Sequence, residues 1–332
     1  MKTSHLIILG CVGLALGGIG ALAAIGTFNG LPLPWATTSP APELQTSPPA
    51  LPEDDPAYAA FDQGKYLTAL KLAEEAAKQD DPEAHTLIGR IYAEGLGIGK
   101  DEGVAARWYA RAAELGDVPA MLALGTMLAE GRGVEKDLGL AAEMFEKAAA
   151  TGDPLANYNL GLMFLRGTGK PENPHRAARH IQYAAEKGIA AAQYDLAALY
   201  IEGRGVPHDG LEAAHWSARA AEQGLPAAEY DYAVMLLQGR GLKVDEKKAI
   251  RYLHSAAEKG VVGAQNRLGH VYAEGAGVEA DPVMAAKWRL IAKAGGIEDD
   301  KLDLYVAAMT EAERAEAEKA ATAWRNRKQI MP

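Results

Sequence analysis

From residue 82 onwards apolar residues recur in short blocks at helical spacing, and each block is closed by a pair of glycines. In residues 82–116, Ala84, Ile88 and Tyr92 lie four apart with Gly89 beside them, which predicts a helix from Pro82 to Glu94. Proline in a first turn forfeits no helical hydrogen bond, because the first amides have none to make. Gly95-Leu96-Gly97 breaks the helix, since two glycines allow the positive φ angles of a tight reversal. Asp101 then caps a second helix, whose Ala105, Trp108, Ala112 and Ala113 are expected to form the stripe that packs back, and Gly116 ends it.

This unit repeats without a gap. Ala84, Ala120, Ala156, Ala192, Ala228 and Ala264 are 36 residues apart, and the glycine pairs keep the same clock from Gly95/Gly97 to Gly275/Gly277. Asp101, Asp137, Asp209, Asp245 and Asp281 follow four residues after their pairs, with Asn173 and Pro174 as the equivalent cap and first turn in the third unit. Self-similarity at this period predicts an all-α solenoid, an α/α superhelix in which each helix pair buries its apolar face only against its neighbours. Such an array presents an extended surface, so binding a protein or peptide is the expected function.

The rest of the chain frames the array. Residues 57–81, with Gly64-Lys65-Tyr66 and Ala69-Leu70, read as a helix pair capping the N-terminal end. Residues 297–332 read as capping helices at the other end, where Thr310 and Glu313 form a capping-box signature leading a charged helix to about Lys328. Residues 6–25 are an apolar run of the length a helix needs to cross a bilayer, within a segment spanning 1–29. Two readings of it stand open: a retained anchor, or a signal peptide cleaved after Ala21-Leu22-Ala23. Cys11 follows Ile8-Leu9-Gly10 as in a lipoprotein cleavage box, but too few apolar residues precede it, and it reads as a small lipid-facing side chain. Residues 30–56 are rich in proline, serine, threonine and alanine and read as a disordered spacer. Lys2 before the apolar run, against Glu43, Glu53, Asp54 and Asp55 after it, places the repeats outside the cytoplasm by the positive-inside rule.

Composition narrows the function classes. The chain is 48% hydrophobic but only 7% aromatic, so alanine and leucine fill the interior. A formal net charge of −10 argues against a nucleic-acid partner, which needs a basic stripe. With Cys11 as the only cysteine, the repeats can form neither a disulfide nor a thiolate zinc site, and no cofactor or small-molecule substrate is implied.

The pattern Ala-x-x-x-Leu-Gly-x-x-Tyr-x-x-Gly-x-Gly-Val-x-x-Asp, then Ala-x-x-Trp-x-x-x-Ala-Ala, resembles the Sel1-like repeat family and is clearest in residues 120–152 and 192–224. Six units cover residues 82–296. Departures are Met144 and His180 at the tryptophan position, Ala197 and Ala233 at the glycine, and Lys170-Pro171-Glu172 in the third loop. The resemblance implies a superhelix akin to tetratricopeptide repeats, a role as adaptor or regulator, and frequent location in bacterial envelopes. Some cysteine-rich secreted members are linked with β-lactam binding or hydrolysis. This chain lacks those cysteines, and it has neither a Ser-x-x-Lys nor a Gly-x-Ser-x-Gly nucleophile motif.

Other constellations fail on context. Gly95 to Lys100 is followed by Asp101, which puts a negative charge where a phosphate would sit. His175 with His180, and His208 with His215, lack the i, i+4 spacing of a helical metal site and read as solvent-exposed. The positions expected to meet a partner lie on the first helices, the concave side of related solenoids. Tyr158, Leu162 and Leu165 are spaced i, i+4, i+7, as are Tyr194, Ala198, Ile201 and Tyr230, Val234, Leu237. The same places hold Thr86, Arg90 and Ala93 at one end and Asn266, His270 and Ala273 at the other, giving an apolar centre with polar rims. Asn159, Asp195 and Asp231 beside the tyrosines could bond a partner's backbone or basic side chains. Two readings follow: a non-catalytic envelope scaffold binding through this strip, or a cell-wall-directed hydrolase using a carboxylate pair such as Asp195 with Asp231.

Overall fold

The computed structural model describes residues 55–330, and among these residues the chain is all helix, with no strand. The apolar run, Cys11 and most of the proline-rich spacer lie outside the described residues. Among the described residues no helix is long and apolar enough to cross a membrane.

Two short helices, α1 (Pro56–Asp62) and α2 (Tyr66–Ala77), open the array. The Asp55 carboxylate caps α1, accepting from the amides of Ala57 and Tyr58, so the helix starts at the last residue assigned to the spacer. Six pairs of 13-residue helices follow, one pair to each unit of the period: α3 (Pro82–Glu94) and α4 (Glu102–Glu114), α5 (Val118–Glu130) and α6 (Leu138–Ala150), α7 (Pro154–Arg166) and α8 (Pro174–Glu186), α9 (Ala190–Glu202) and α10 (Gly210–Glu222), α11 (Pro226–Gln238) and α12 (Glu246–Glu258), α13 (Val262–Glu274) and α14 (Pro282–Ala294). Asp101 caps α4 as expected, its Oδ1 accepting from the Val104 amide at 2.8 Å. First helices start in two ways. Asp81, Asp117 and Asp153 cap α3, α5 and α7 with their carboxylates, whereas Ile189, Leu225 and Val261 precede α9, α11 and α13 without a side-chain cap. Those three apolar residues pack against the core instead, exchanging a hydrogen bond for burial.

Within a pair, the buried stripe of the second helix holds Ala105 and Ala112 as expected and is wider than expected by one position, with Met144, Trp216 and Trp288 buried where Trp108 is not. Trp108 is half-buried, while the next residue, Tyr109, is buried, and Phe145, Ile181, Leu253 and Arg289 take the same place in later units. The cause lies on the facing helix. A Cβ at Gly89 would stand 2.8 Å from the Tyr109 ring, one at Gly125 2.8 Å from Phe145, and one at Gly161 2.7 Å from Ile181. These glycines leave room for a large side chain; where alanine replaces one, the corresponding residue is the small Ser217 for Ala197 but the large Leu253 for Ala233.

Between pairs, the loop glycines make a second seam. The first of each pair ends a helix in the left-handed region, as Gly239 does at φ 66°. The second approaches the start of the preceding unit's second helix. A Cβ on Gly241 would lie 1.8 Å from the Gly210 carbonyl oxygen, so no other residue fits without moving backbone.

The C-terminal end is sealed by α15 (Asp300–Ala307) and α16 (Glu311–Ile330). Thr310 and Glu313 form the expected capping box, each side chain bonding the other's amide. On α16, Trp324 meets Trp288 edge to face at 6.1 Å and donates its indole N–H to Glu258 Oε2 at 2.9 Å. Arg289, only 1% exposed, donates from Nε and Nη2 to the two oxygens of Asp303 and from Nη1 to the Ile297 carbonyl.

Candidate functional site

The positions singled out on the first helices fall along the seam between α7, α9, α11 and α13. Each tyrosine lies one period and one residue before a partner in the next unit. Tyr158 Oη on α7 donates to Asp195 Oδ2 on α9 at 2.9 Å, and Tyr194 Oη donates to Asp231 Oδ2 on α11 at 2.7 Å. The third tyrosine, Tyr230, has Arg267 at that offset in place of an aspartate, and its ring packs where a Cβ on Gly263 would stand 3.0 Å away. The ladder therefore spans the middle of the array.

Exposure divides the strip. Tyr158 and Leu162 are 1% and 0% exposed and belong to the core, and Asn159 is also buried. The expectation that these three face a partner gives way to packing, because the seam between α7 and α9 closes over them. Asp231 is 9% exposed and Val234 is buried as well. Leu165, Tyr194, Ala198, Ile201, Tyr230 and Leu237 are partly exposed, and these six make the accessible part of the strip.

Burial governs the ionisation of the ladder. Desolvation pushes the Asp195 carboxyl up to about 6, against the Tyr158 hydrogen bond and the Arg166 charge, which pull it down. Desolvation likewise pushes Asp231 up to about 6, opposed by the Tyr194 hydroxyl. Burial, followed by the adjacent carboxylate charge, raises the Tyr158 and Tyr230 phenols. At the ends the seam is built from smaller polar groups. Thr86 Oγ1 donates to Asp117 Oδ2 at 2.5 Å, and Asp299 Oδ2 accepts from Asn266 Nδ2 at 2.8 Å with His270 Nε2 at 2.7 Å.

Asp195 and Asp231 sit on successive first helices, and each accepts a hydrogen bond from the tyrosine of the preceding unit. His175, His208 and His215 are exposed as expected, but His180 is half-buried, stacked on Phe164 at 5.8 Å with Nδ1 2.9 Å from Asn157 Oδ1. Among the described residues no group of three or more His, Cys, Asp or Glu side chains could hold a metal ion.

Comparison with known proteins agrees with this architecture. The Sel1 repeat pattern matches residues 82–117, 118–153, 154–189, 190–225, 226–261 and 262–296. A Sel1 repeat protein from Oxalobacter formigenes is similar over 73% of this chain and 97% of its own, at 28% identity and a TM-score of 0.64. A protective antigen present in uropathogenic Escherichia coli strains, displaying an SLR fold, is similar over 84% of this chain and 73% of its own, at 25% identity and a TM-score of 0.55. None of the curated proteins compared with the chain matches it.

Proposed function

The chain belongs to the Sel1 repeat family, and from that premise we propose that it is a non-catalytic scaffold of the bacterial envelope, capturing a protein or peptide along the first helices of its central repeats. Sel1 repeat proteins are in general protein-interaction scaffolds. The observation that supports the placement is the row Tyr194, Ile201, Tyr230 and Leu237, half-exposed between polar ends. On this reading the stack is superhelical, the first helices line its concave side, and the row docks an apolar segment whose backbone or basic groups meet the polar rims.

The same reading places the repeats outside the cytoplasm, with residues 6–25 as anchor or cleaved signal and the proline-rich spacer holding the array off the membrane. The description of the Escherichia coli relative as a protective antigen supports an envelope location. Alkaline phosphatase fused after Pro332 tests it, since the enzyme works only outside the cytoplasm, and activity confined to a cytoplasmic reporter would overturn the topology. The docking row is tested by affinity capture from native membranes with full-length protein. Tyr194→Ala and Tyr230→Ala should each reduce recovery of the partner, an effect worth about 2 kcal/mol for an aromatic at the centre of an interface. Undiminished capture by both variants would remove the row from the interface.

A further inference from the structure

A second surface lies on the other helix row. Residues 243–253, the loop and first turns of the fifth unit's second helix, hold Lys243, Lys247, Lys248 and Arg251 against Asp245 and Glu246. The equivalent residues 207–217 of the fourth unit hold Asp209 and Glu212 with no lysine or arginine. On a chain of net charge −10, this local surplus of cations breaks the repeat's own pattern.

The surplus is concentrated along two clefts that share Lys248. One, of about 580 Å³, is lined by Lys243, Val244, Lys247 and Lys248 together with Asp245 and Glu246, above Leu236 and Leu242. The other, of about 240 Å³, is lined by Lys248, Arg251, Tyr252, Ser255 and Glu229. Lys243, Lys247 and Arg251 are exposed, and among the described residues none of the three forms an ion pair. Val244, 57% exposed, adds an apolar contact in the middle of the larger cleft.

Three carboxylates share this region: Asp245 and Glu246 are exposed and line the larger cleft, and Glu229 is buried beside the smaller one. Asp245 Oδ1 accepts the Lys248 amide as the cap of α12. Glu246 packs at the Gly277 loop, where a Cβ on that glycine would stand 2.7 Å from its own Cβ. Glu229 is 4% exposed, and its Oε1 accepts from Ser255 Oγ and from Lys259 Nζ, both at 2.7 Å. Lys248 is turned inward, donating to Tyr232 Oη at 3.1 Å. Lys243, Lys247 and Arg251 therefore stand exposed at the rim without an ion pair among the described residues, one charge in excess of the exposed Asp245 and Glu246 beside them.

We propose that this face binds an acidic peptide in extended form, with its carboxylates on Lys243, Lys247 and Arg251 and an apolar side chain against Val244. Lys247 and Arg251 are four apart on one helix, about 6 Å between Cβ atoms. Side chains two apart along an extended peptide are about 6.6 Å apart, so glutamates at alternate positions meet both cations. A cationic rim on an otherwise acidic protein also steers an anionic partner to this place and away from the rest of the surface. The site lies on the second-helix row, and it stands or falls independently of the first-helix docking row.

The test uses full-length protein and a fluorescein-labelled peptide carrying glutamate at every second position with alanine or leucine between. Fluorescence anisotropy should show saturable binding that weakens as salt is raised from about 50 to 300 mM. The triple variant Lys243→Glu, Lys247→Glu, Arg251→Glu changes only exposed side chains and should bind at least about tenfold more weakly with an unchanged helical signal. A control triple on other exposed lysines, Lys71→Glu, Lys147→Glu, Lys319→Glu, alters charge equally and should bind as wild type does. A glutamine version of the peptide should lose at least the same factor. Absence of binding to wild type, equal loss in both triples, or equal binding of the glutamine peptide would overturn the proposal. So would capture by phosphatidylserine vesicles through the same three cations without any binding of the peptide.

Discussion

Along the first helices, neighbouring repeats meet through side chains that titrate; at the glycine loops they meet through backbone that does not. The first seam holds Tyr158 against Asp195 and Tyr194 against Asp231, with both carboxyls pushed up to about 6 by burial. The second brings Gly241 so near the Gly210 carbonyl that a single methyl group would have to displace backbone. One seam tolerates variety, using threonine with aspartate or asparagine with aspartate at the ends. The other tolerates none in the centre, and the two should respond to perturbation in opposite ways.

The loop seam should give the largest effect. Gly241→Ala combines a positive φ with a backbone clash and should cost about 3–5 kcal/mol, read as a drop in the urea midpoint. Gly277→Ala has the same φ sign but meets side-chain atoms of Glu246 and Ile250, which can move, and should cost less. Equal losses at the two sites would mean that φ, and not the close approach, decides.

The helix seam should reveal itself through pH. Asp195 and Asp231 have native values near 6 against 3.8 for an ordinary aspartate, so the folded state binds more protons in between. Their stabilising contribution is fully present below about pH 4 and is lost as pH rises through 6. Stability should therefore rise on going from pH 7 to pH 4.5, by on the order of 1–2 kcal/mol for each carboxylate. Asp303, held down to about 2 chiefly by its hydrogen bonds from Arg289, titrates below this window. The double variant Asp195→Asn, Asp231→Asn should flatten the profile, and a profile as steep as wild type would remove these residues as its source.

A position inside a repeat provides the reference. Ala156 is fully buried, so Ala156→Leu should overpack the core and cost about 1–3 kcal/mol at every pH. The smallest effect is expected for Tyr194→Phe, which deletes one hydroxyl and leaves the ring, at about 1 kcal/mol. Its loss should be greater at pH 7 than at pH 5, because the hydroxyl serves the ionised form of Asp231 best; a loss independent of pH would assign the effect to packing.

The sequence showed the helices well because their limits depend on local chemistry: Pro82 and Glu94 are the observed ends of α3, and Asp101 is the observed cap of α4. It showed the contacts less well. Reading equivalent positions one period apart finds what recurs, but neighbours touch at an offset from the period. Tyr158 reaches Asp195, 37 residues on, and that spacing recurs from Tyr194 to Asp231. The same holds inside a unit, where Gly89 faces Tyr109 and Gly125 faces Phe145, 20 residues on, so the stripe read through Trp108 lacks the residue after it. The signal was present as paired residues at these offsets, tyrosine with aspartate between units and glycine with a large side chain within them. The burial of Arg289 left no periodic trace, since Asp303 lies beyond the last repeat.

The last helix gives the stack a direction in time. Trp324 on α16 reaches back 66 residues to Glu258 and packs edge to face on Trp288, which His254 meets edge to face from within the repeats. A growing polypeptide can assemble its repeats one by one as they emerge, but the side of Trp288 that Trp324 covers stays open until the residues that follow every repeat have been made. Closure thus registers that the whole series has been delivered, and a chain stopped short of residue 311 would be left with a sticky end.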